Sequence, residues 1–396
     1  MTASADGALT CRKAAFSLDP DECWLDSAYM GPLPDRVRDA GMAAIAARAF
    51  PVGITAADFF EPAERVRGML ARLVGADPEH VAFVTTATSG FALLAKNLEP
   101  RAGANVVLLG DQFPSNVYPW RRWRGLGVEL RMIDAPDGPL RSGDGRPGRA
   151  ERWNDALVAA IDERTMLVSI EQAHWTDGTL FDLARIGARC REVGAVFAVD
   201  ATQTAGAMPS ASTSIGIDVL VVHCYKSMLS SCGLGFVVLS ERFADGRPLD
   251  EGWLVRAGSE NFAGLVDYQD GYAAGMRRYD TSLRSNGMLI GMLGAACELL
   301  LEWQPARIRD YLLGIEAGFV ERVAASGFEI AASADRAANL FGVRLPPGLA
   351  PAAVREALAA RRIRVSVRGG SVRVAPHVFN DEADLARLAG ALEALV

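Results

Sequence analysis

The most constraining feature of this 396-residue chain lies between about residues 60 and 240. Short, nearly unbroken apolar runs rich in β-branched residues end at Gly, Asp or Ser, and amphipathic stretches follow them. The runs at 80–85, 105–109, 128–133, 166–170, 195–199, 218–222 and 235–239 read as strands, and 61–74, 90–98, 152–161 and 183–193 read as helices. A strand with one wet face alternates apolar and polar residues. These strands do not, so the sheet must be covered on both faces, which calls for mostly parallel strands joined by helical crossovers. The Gly-, Pro- and charge-rich stretch 136–149 reads as a surface loop.

Beyond about residue 285 the texture changes. Two long helices, 286–303 and 305–325, precede an α+β portion with strands at 328–332, 339–344, 363–367 and 372–374 and helices at 352–361 and 381–395. Gly369-Gly370, between two short β runs, predicts a hairpin turn. The expected organisation is α/β: an N-terminal segment over 1–55, a large domain over 56–284 built on a mostly parallel seven-stranded sheet, and a linking helix with a smaller C-terminal α+β domain over 285–396.

Composition removes several function classes. The formal charge of −7 argues against nucleic acid as the main partner, because phosphate binding needs a basic face. No apolar run approaches the roughly 20 residues of a membrane helix, and the first 18 residues lack the charged-then-apolar pattern of a signal peptide. The six cysteines are scattered without a CxxC pair, and the four histidines are dispersed. This predicts reduced thiols in a cytoplasmic protein and no metal centre.

Open parallel sheets bind ligands at the C-terminal ends of their strands. After the first strand comes Thr85-Thr86-Ala87-Thr88-Ser89-Gly90, which reads either as an ordinary helix cap by Thr88 or Ser89 or as a cup for an anion. After the second comes Phe113, either packing or the cover of a flat ring. After the fifth comes Asp200; an acid ending an apolar run is costly unless it caps, pairs or binds a ligand. After the sixth comes His223-Cys224-Tyr225-Lys226. Lysine is scarce here: of 41 cationic residues only Lys13, Lys96 and Lys226 are lysines. Arginine cannot supply an uncharged amine, whereas a desolvated lysine has the lowered pKa that a Schiff-base nucleophile needs.

Each feature alone has a bland reading, whether a cap, packing or a lysine reaching solvent. Together, a phosphate cup, an aromatic cover, a carboxylate and an amine at the strand ends of one sheet are the parts that pyridoxal 5′-phosphate (PLP) requires. A nicotinamide cofactor fits less well, because no strand is followed by GxGxxG; Gly233-Leu234-Gly235 is a fragment lying after the lysine.

From about Leu25 onward the chain resembles the class V aminotransferase-like enzymes of PLP fold type I, which include cysteine desulfurases, kynureninases and isopenicillin N epimerase-like proteins. The resemblance implies that Ala87 and Thr88 bind phosphate, with His223 and Tyr225 also contacting it. Phe113, in a kynureninase-like FPSN form, would stack on the pyridine, Asp200 would pair with its nitrogen, and Gln203 would bond the ring oxygen. Lys226 would carry the imine and act as catalytic base at the substrate Cα. Ser285 and Asn286 lie in a segment that reaches the partner subunit's cofactor in family dimers, so a homodimer is expected. Arg373, in Val372-Arg373-Val374-Ala375-Pro376-His377, would clamp the carboxylate of a small amino-acid-like substrate.

Two departures narrow the reading. Cysteine desulfurases carry a nucleophilic cysteine shortly before that arginine, but here no cysteine follows Cys297. Persulfide formation is therefore not expected. His174-Trp175 stands where desulfurases have a Ser-Asn pair, and the indole could shape a substrate pocket or simply pack. The expected activity is transamination, with β-elimination or C–S lysis, racemisation, or retention as a binding module as the alternatives.

Overall fold

The structure is a computed structural model that describes residues 7–143, 145–210 and 215–396. Its centre is a seven-stranded sheet of β1 (Val81–Val84), β2 (Asn105–Leu109), β3 (Glu129–Ile133), β4 (Thr165–Glu171), β5 (Val196–Asp200), β6 (Val219–His223) and β7 (Gly235–Leu239). The spatial order is β1-β7-β6-β5-β4-β2-β3. Every pairing is parallel except the two made by β7, which runs antiparallel to β1 and β6.

The continuous apolar runs are explained by what each face meets. Val107, Leu109, Val168, Ile170, Phe197 and Val199 enter one core; Val106, Leu108, Leu167, Val196 and Ala198 enter a second core on the opposite face with Phe91 and Trp120. Successive side chains of a strand point to opposite faces, so a sheet buried on both sides has no place for polar alternation. Helices α1 (Asp35–Ala49), α2 (Glu61–Val74), α3 (Ala87–Lys96), α4 (Arg149–Ala159) and α5 (Leu183–Val193) precede or connect the strands.

Two long helices follow, α6 (Gly287–Trp303), which packs on α1 and α2, and α7 (Pro305–Ala325). The C-terminal portion holds β8 (Phe341–Arg344), α8 (Pro351–Ala360), β9 (Ser366–Arg368), β10 (Ser371–Val374) and α9 (Glu382–Glu393). Its antiparallel sheet has the order β9-β10-β8. Arg368 pairs with Ser371, so Gly369-Gly370 forms the two-residue hairpin loop, and Gly369 takes the left-handed φ of 53° that such a turn requires.

Several boundaries differ from expectation. The run 328–332 is not a strand; it contributes only an isolated bridge between Glu329 and Arg344. The run 363–367 is split: Ile363–Arg364 pairs in parallel with Cys23–Trp24 near the N-terminus, and the rest enters β9. Helix α3 starts at Ala87, not residue 90, because Thr86 and Ser89 form a reciprocal capping box. Helix α1 is not among the elements the sequence pattern predicts. No helix among the described residues is long and apolar enough to cross a membrane.

Candidate active site

A cavity of about 220 Å³ opens at the C-terminal ends of the parallel strands. Thr86, Ala87, Thr88, Phe113, Asp200 and Lys226 line it, and Gln203, His223, Tyr225, Ser115, Glu171 and Trp175 complete its walls. Residues from five separate strand ends therefore meet in one place.

The floor at α3 is a helix N-terminus. The Thr86 hydroxyl accepts from Ser89 N–H at 3.1 Å, and Ser89 Oγ accepts from Thr86 N–H at 2.8 Å. Thr86 is thus the cap, and Thr88 is released from that role; its hydroxyl donates to Ser115 Oγ at 2.8 Å. The first N–H groups of a helix, here at Ala87 and Thr88, have no acceptor within the helix and face an anion favourably.

His223 closes β6 beside them. Its ring meets Tyr225 edge-on at 4.5 Å, and its buried Nε2 has no hydrogen-bond partner. Burial, helped by the charge of Lys226, pulls its pKa down to about 4, so the ring is neutral at pH 7.

Asp200 closes β5, with Thr202 N–H donating to its Oδ1 at 2.9 Å. Burial raises its pKa, opposed by the Thr202 hydrogen bonds and Lys226. Lys226 is 6% exposed, with Nζ 5.1 Å from the Phe113 ring centre and 5.4 Å from that of Tyr225. Burial brings its pKa down to about 8 against the pull of Asp200. The other two lysines are used elsewhere: Lys13 pairs with Asp381 and Asp384, and Lys96 donates to the Pro248 carbonyl.

The lysine loop is braced from outside the sheet. Ser227 Oγ donates to the carbonyls of Thr202 and Ala205. Gly31 N–H donates to the Tyr225 carbonyl at 3.1 Å, and a Cβ on Gly31 would lie 2.2 Å from the Lys226 carbonyl oxygen. Gly31 is therefore required for the N-terminal segment to lie against this loop. Gln203 is buried, donating to the Ala28 carbonyl at 3.2 Å.

Arg373 sits at the rim, 2% exposed, outside the residues that line the cavity. Its guanidinium donates to Asp26 Oδ1 at 3.0 Å, to Ser366 Oγ at 3.1 Å and to the Trp175 carbonyl at 3.2 Å, while its buried Nε has no partner. Trp175 lines the cavity; His174 does not. His174 turns inward to Asp177, Thr176 and the Trp153 ring. Burial lowers its basicity, but Asp177 more than compensates and the net pKa is raised. Ser285 and Asn286 also lie outside the cavity wall: Ser285 Oγ donates to the Ser282 carbonyl, and Asn286 caps α6.

Asp26 and Glu171 belong to the site without being singled out by the sequence, and Thr86, within the expected anion cup, is the helix cap in place of Thr88 or Ser89. Glu171 carries the same signal as Asp200, an acid at the end of an apolar strand.

The cavity fits PLP. The helix start and the unpartnered His223 Nε2 suit a phosphate, the Phe113 ring suits the face of a pyridine, and Asp200 suits a ring nitrogen that carries a proton.

The family model described as "Aminotransferase class-V" matches residues 24–388. Isopenicillin N epimerase of Amycolatopsis lactamdurans is 27% identical over 393 residues, covering 96% of each chain. The uncharacterized aminotransferase YcbU of Bacillus subtilis is 25% identical over 334 residues, 82% of this chain and 81% of its own. Among solved structures, the apo cysteine desulfurase of Thermococcus onnurineus NA1 superposes with a TM-score of 0.80 at 20% identity, covering 99% of both chains. The fold is therefore that of PLP fold type I, and the chain belongs to the aminotransferase class-V family of PLP-dependent enzymes.

Proposed function

We propose that this chain is an aminotransferase-type enzyme that holds PLP on Lys226 and acts on a small amino acid. The observation that carries the reading is a buried lysine with a pKa near 8 in one cavity with a buried carboxylate and a free helix N-terminus. The division into a cofactor domain over 56–284, completed by 1–55 and 285–396, is part of this reading, as is a cytoplasmic location.

In this reading Ala87, Thr88, His223 and Tyr225 hold the phosphate, Phe113 covers the ring, and Gln203 donates to the ring oxygen. Asp200 keeps the ring nitrogen protonated. When bound, PLP supplies the electron sink that makes a substrate Cα–H acidic. The lowered pKa of Lys226 leaves part of its amine uncharged near neutrality, so it can take the Cα proton and return it. Arg373 orients the substrate carboxylate, to which a planar guanidinium is well matched. With PLP bound, Lys226 would serve transamination by carrying that proton away from Cα and not returning it there.

Delivery of a proton to the opposite face of Cα would give epimerisation, and the epimerase relative covering 96% of the chain favours this as the second reading. β-Elimination or C–S lysis uses the same residues. Persulfide formation is excluded in our reading because the rim strand region 363–373 has no cysteine and Cys297 is buried in α6. A homodimer with active sites at the interface is supported by exposed apolar side chains on and after α1, among them Met42, Ile45, Phe50 and Val52.

The deciding experiment is a panel of amino acids given to the yellow holoenzyme, with product analysis. Keto acid with an amine acceptor supports transamination; racemised substrate supports the second reading; ammonia with an elimination product would replace both.

A further inference from the structure

Glu171 is the last residue of β4, in register with Asp200 on β5, and only 3% exposed. Its two carboxylate oxygens are used separately. Oε1 accepts from Phe113 N–H at 2.9 Å, and Oε2 accepts from Trp175 N–H at 2.7 Å. These N–H groups belong to two different loops, one after β2 and one after β4. The two rings meet edge to face, with centres 5.5 Å apart and planes at 81°. Trp175 Nε1 donates to the Asp111 carbonyl at 2.6 Å, which ties the same two loops a second time.

A buried carboxyl is costly and persists where it does something a neutral group cannot. Here it is acceptor-only when ionised, so each oxygen meets an N–H without offering a competing donor. A glutamine would set an amide NH2 against one of the two N–H groups.

We propose that Glu171 is a positioning residue whose two oxygens lock Phe113 and Trp175 into the paired wall of the cofactor cavity. The inference rests on the reading that this cavity holds PLP. Protonation turns one oxygen into a poor acceptor and loosens one of the two loops. Burial, with the charge of Asp200, pushes the Glu171 pKa up to about 7, opposed by His174. His174, Asp200 and Lys226 are the titratable groups that face it.

The test uses PLP-loaded wild type, E171Q and E171D, with the circular dichroism of the bound cofactor followed from pH 6 to 8.5 and the PLP dissociation constant measured at pH 8. Wild type should show a change in cofactor dichroism with a midpoint near 7. E171Q should lose that step and bind PLP roughly tenfold more weakly. E171D should bind PLP more weakly and show a diminished step, because the shorter side chain cannot span both N–H groups and one loop is already free. A wild-type profile without the step overturns the proposal even if E171Q fails to fold. A step that survives in E171Q belongs to His174 or Lys226 and also overturns it. Protein that takes up no PLP defeats the cofactor reading instead, a separate outcome seen directly from the absence of yellow colour.

Discussion

His377 Nε2–H donates to the carbonyl of Ser227, the residue after Lys226, at 3.1 Å. The tautomer follows from the other ring nitrogen, because Nδ1 accepts from Val378 N–H at 2.8 Å and so carries no proton. A histidine in the C-terminal portion thus fixes the backbone next to the lysine, and burial holds its pKa down at about 4.

His377→Ala leaves the buried Ser227 carbonyl without its donor and should cost about 1–3 kcal/mol at pH 7. In the unfolded chain the ring takes up a proton near 6.5, but in the fold only near 4. The stabilisation from a neutral His377 is therefore complete above 6.5 and is lost as the pH falls towards 4. The gap between wild type and variant in urea unfolding should narrow between pH 7 and 5. A gap that stays constant would show that the folded and unfolded chains protonate this ring alike, so that burial does not hold its pKa down.

Lys226 should react as an amine with a pKa near 8 rather than 10.5. The rate of PLP uptake by cofactor-free protein should rise with pH and level off just above 8, followed by absorbance. Lys226→Ala should take up PLP without borohydride-stable attachment and should lose turnover. With so few other lysines, peptide mapping after reduction has little to confuse it. A label on Lys13 or Lys96 would refute the assignment.

Arg373→Ala should raise KM for carboxylate substrates by roughly 10- to 100-fold, the value of charged hydrogen bonds to a carboxylate. Arg373→Lys should recover only part of this, since an ammonium lacks the planar fork. An unchanged KM would remove the clamp. Asp26, left buried without Arg373, would also lower thermal stability, so KM should be read on protein shown to be folded.

Asp280 is fully buried and holds Arg67 at 2.7 Å while accepting from Phe83 N–H at 2.8 Å. The pair pins the segment before α6 to β1. Removing Asp280 takes away the fully buried partner of Arg67 and leaves it only Glu64 and the Val81 carbonyl, so Asp280→Ala should cost about 3 kcal/mol, the lower end for a broken buried pair. Urea unfolding of the cofactor-free protein would measure it, and a loss under 1 kcal/mol, the scale of an exposed pair, would show that Glu64 and the Val81 carbonyl suffice for Arg67.

The sheet was readable because burial on both faces writes itself as unbroken apolar runs, and 105–109 and 235–239 match their strands end to end. Helix α1 was not, because its alanine-rich sequence has only Val37 and Gly41 buried and therefore shows no clear apolar stripe. The run 328–332 is apolar enough for a strand, yet tertiary pairing gives it a single bridge. In the site, Asp200 and Lys226 stood out as charges at the ends of apolar runs. Glu171 follows the run 166–170 as Asp200 follows 195–199, but its role depends on N–H groups of two separate loops, which a strand-end acid alone does not reveal. Asp26, Gly31 and His377 could not be placed beforehand, since their partners lie 150 to 347 residues away in the chain. The inward turn of His174 depends on Asp177 and Trp153, which pattern alone does not connect to it.

Because β7 returns antiparallel to β6, Lys226 rides on a hairpin connection and not on a crossover into a helix. No helix start anchors that loop, so the bracing comes from Gly31, Thr202, Ala205 and His377, drawn from the beginning, middle and end of the chain. The amine reaches its place only after these remote pieces have assembled. Acquisition of yellow colour is then a report on completed folding as much as on chemistry, and its time course during refolding should trail every local probe of the large sheet.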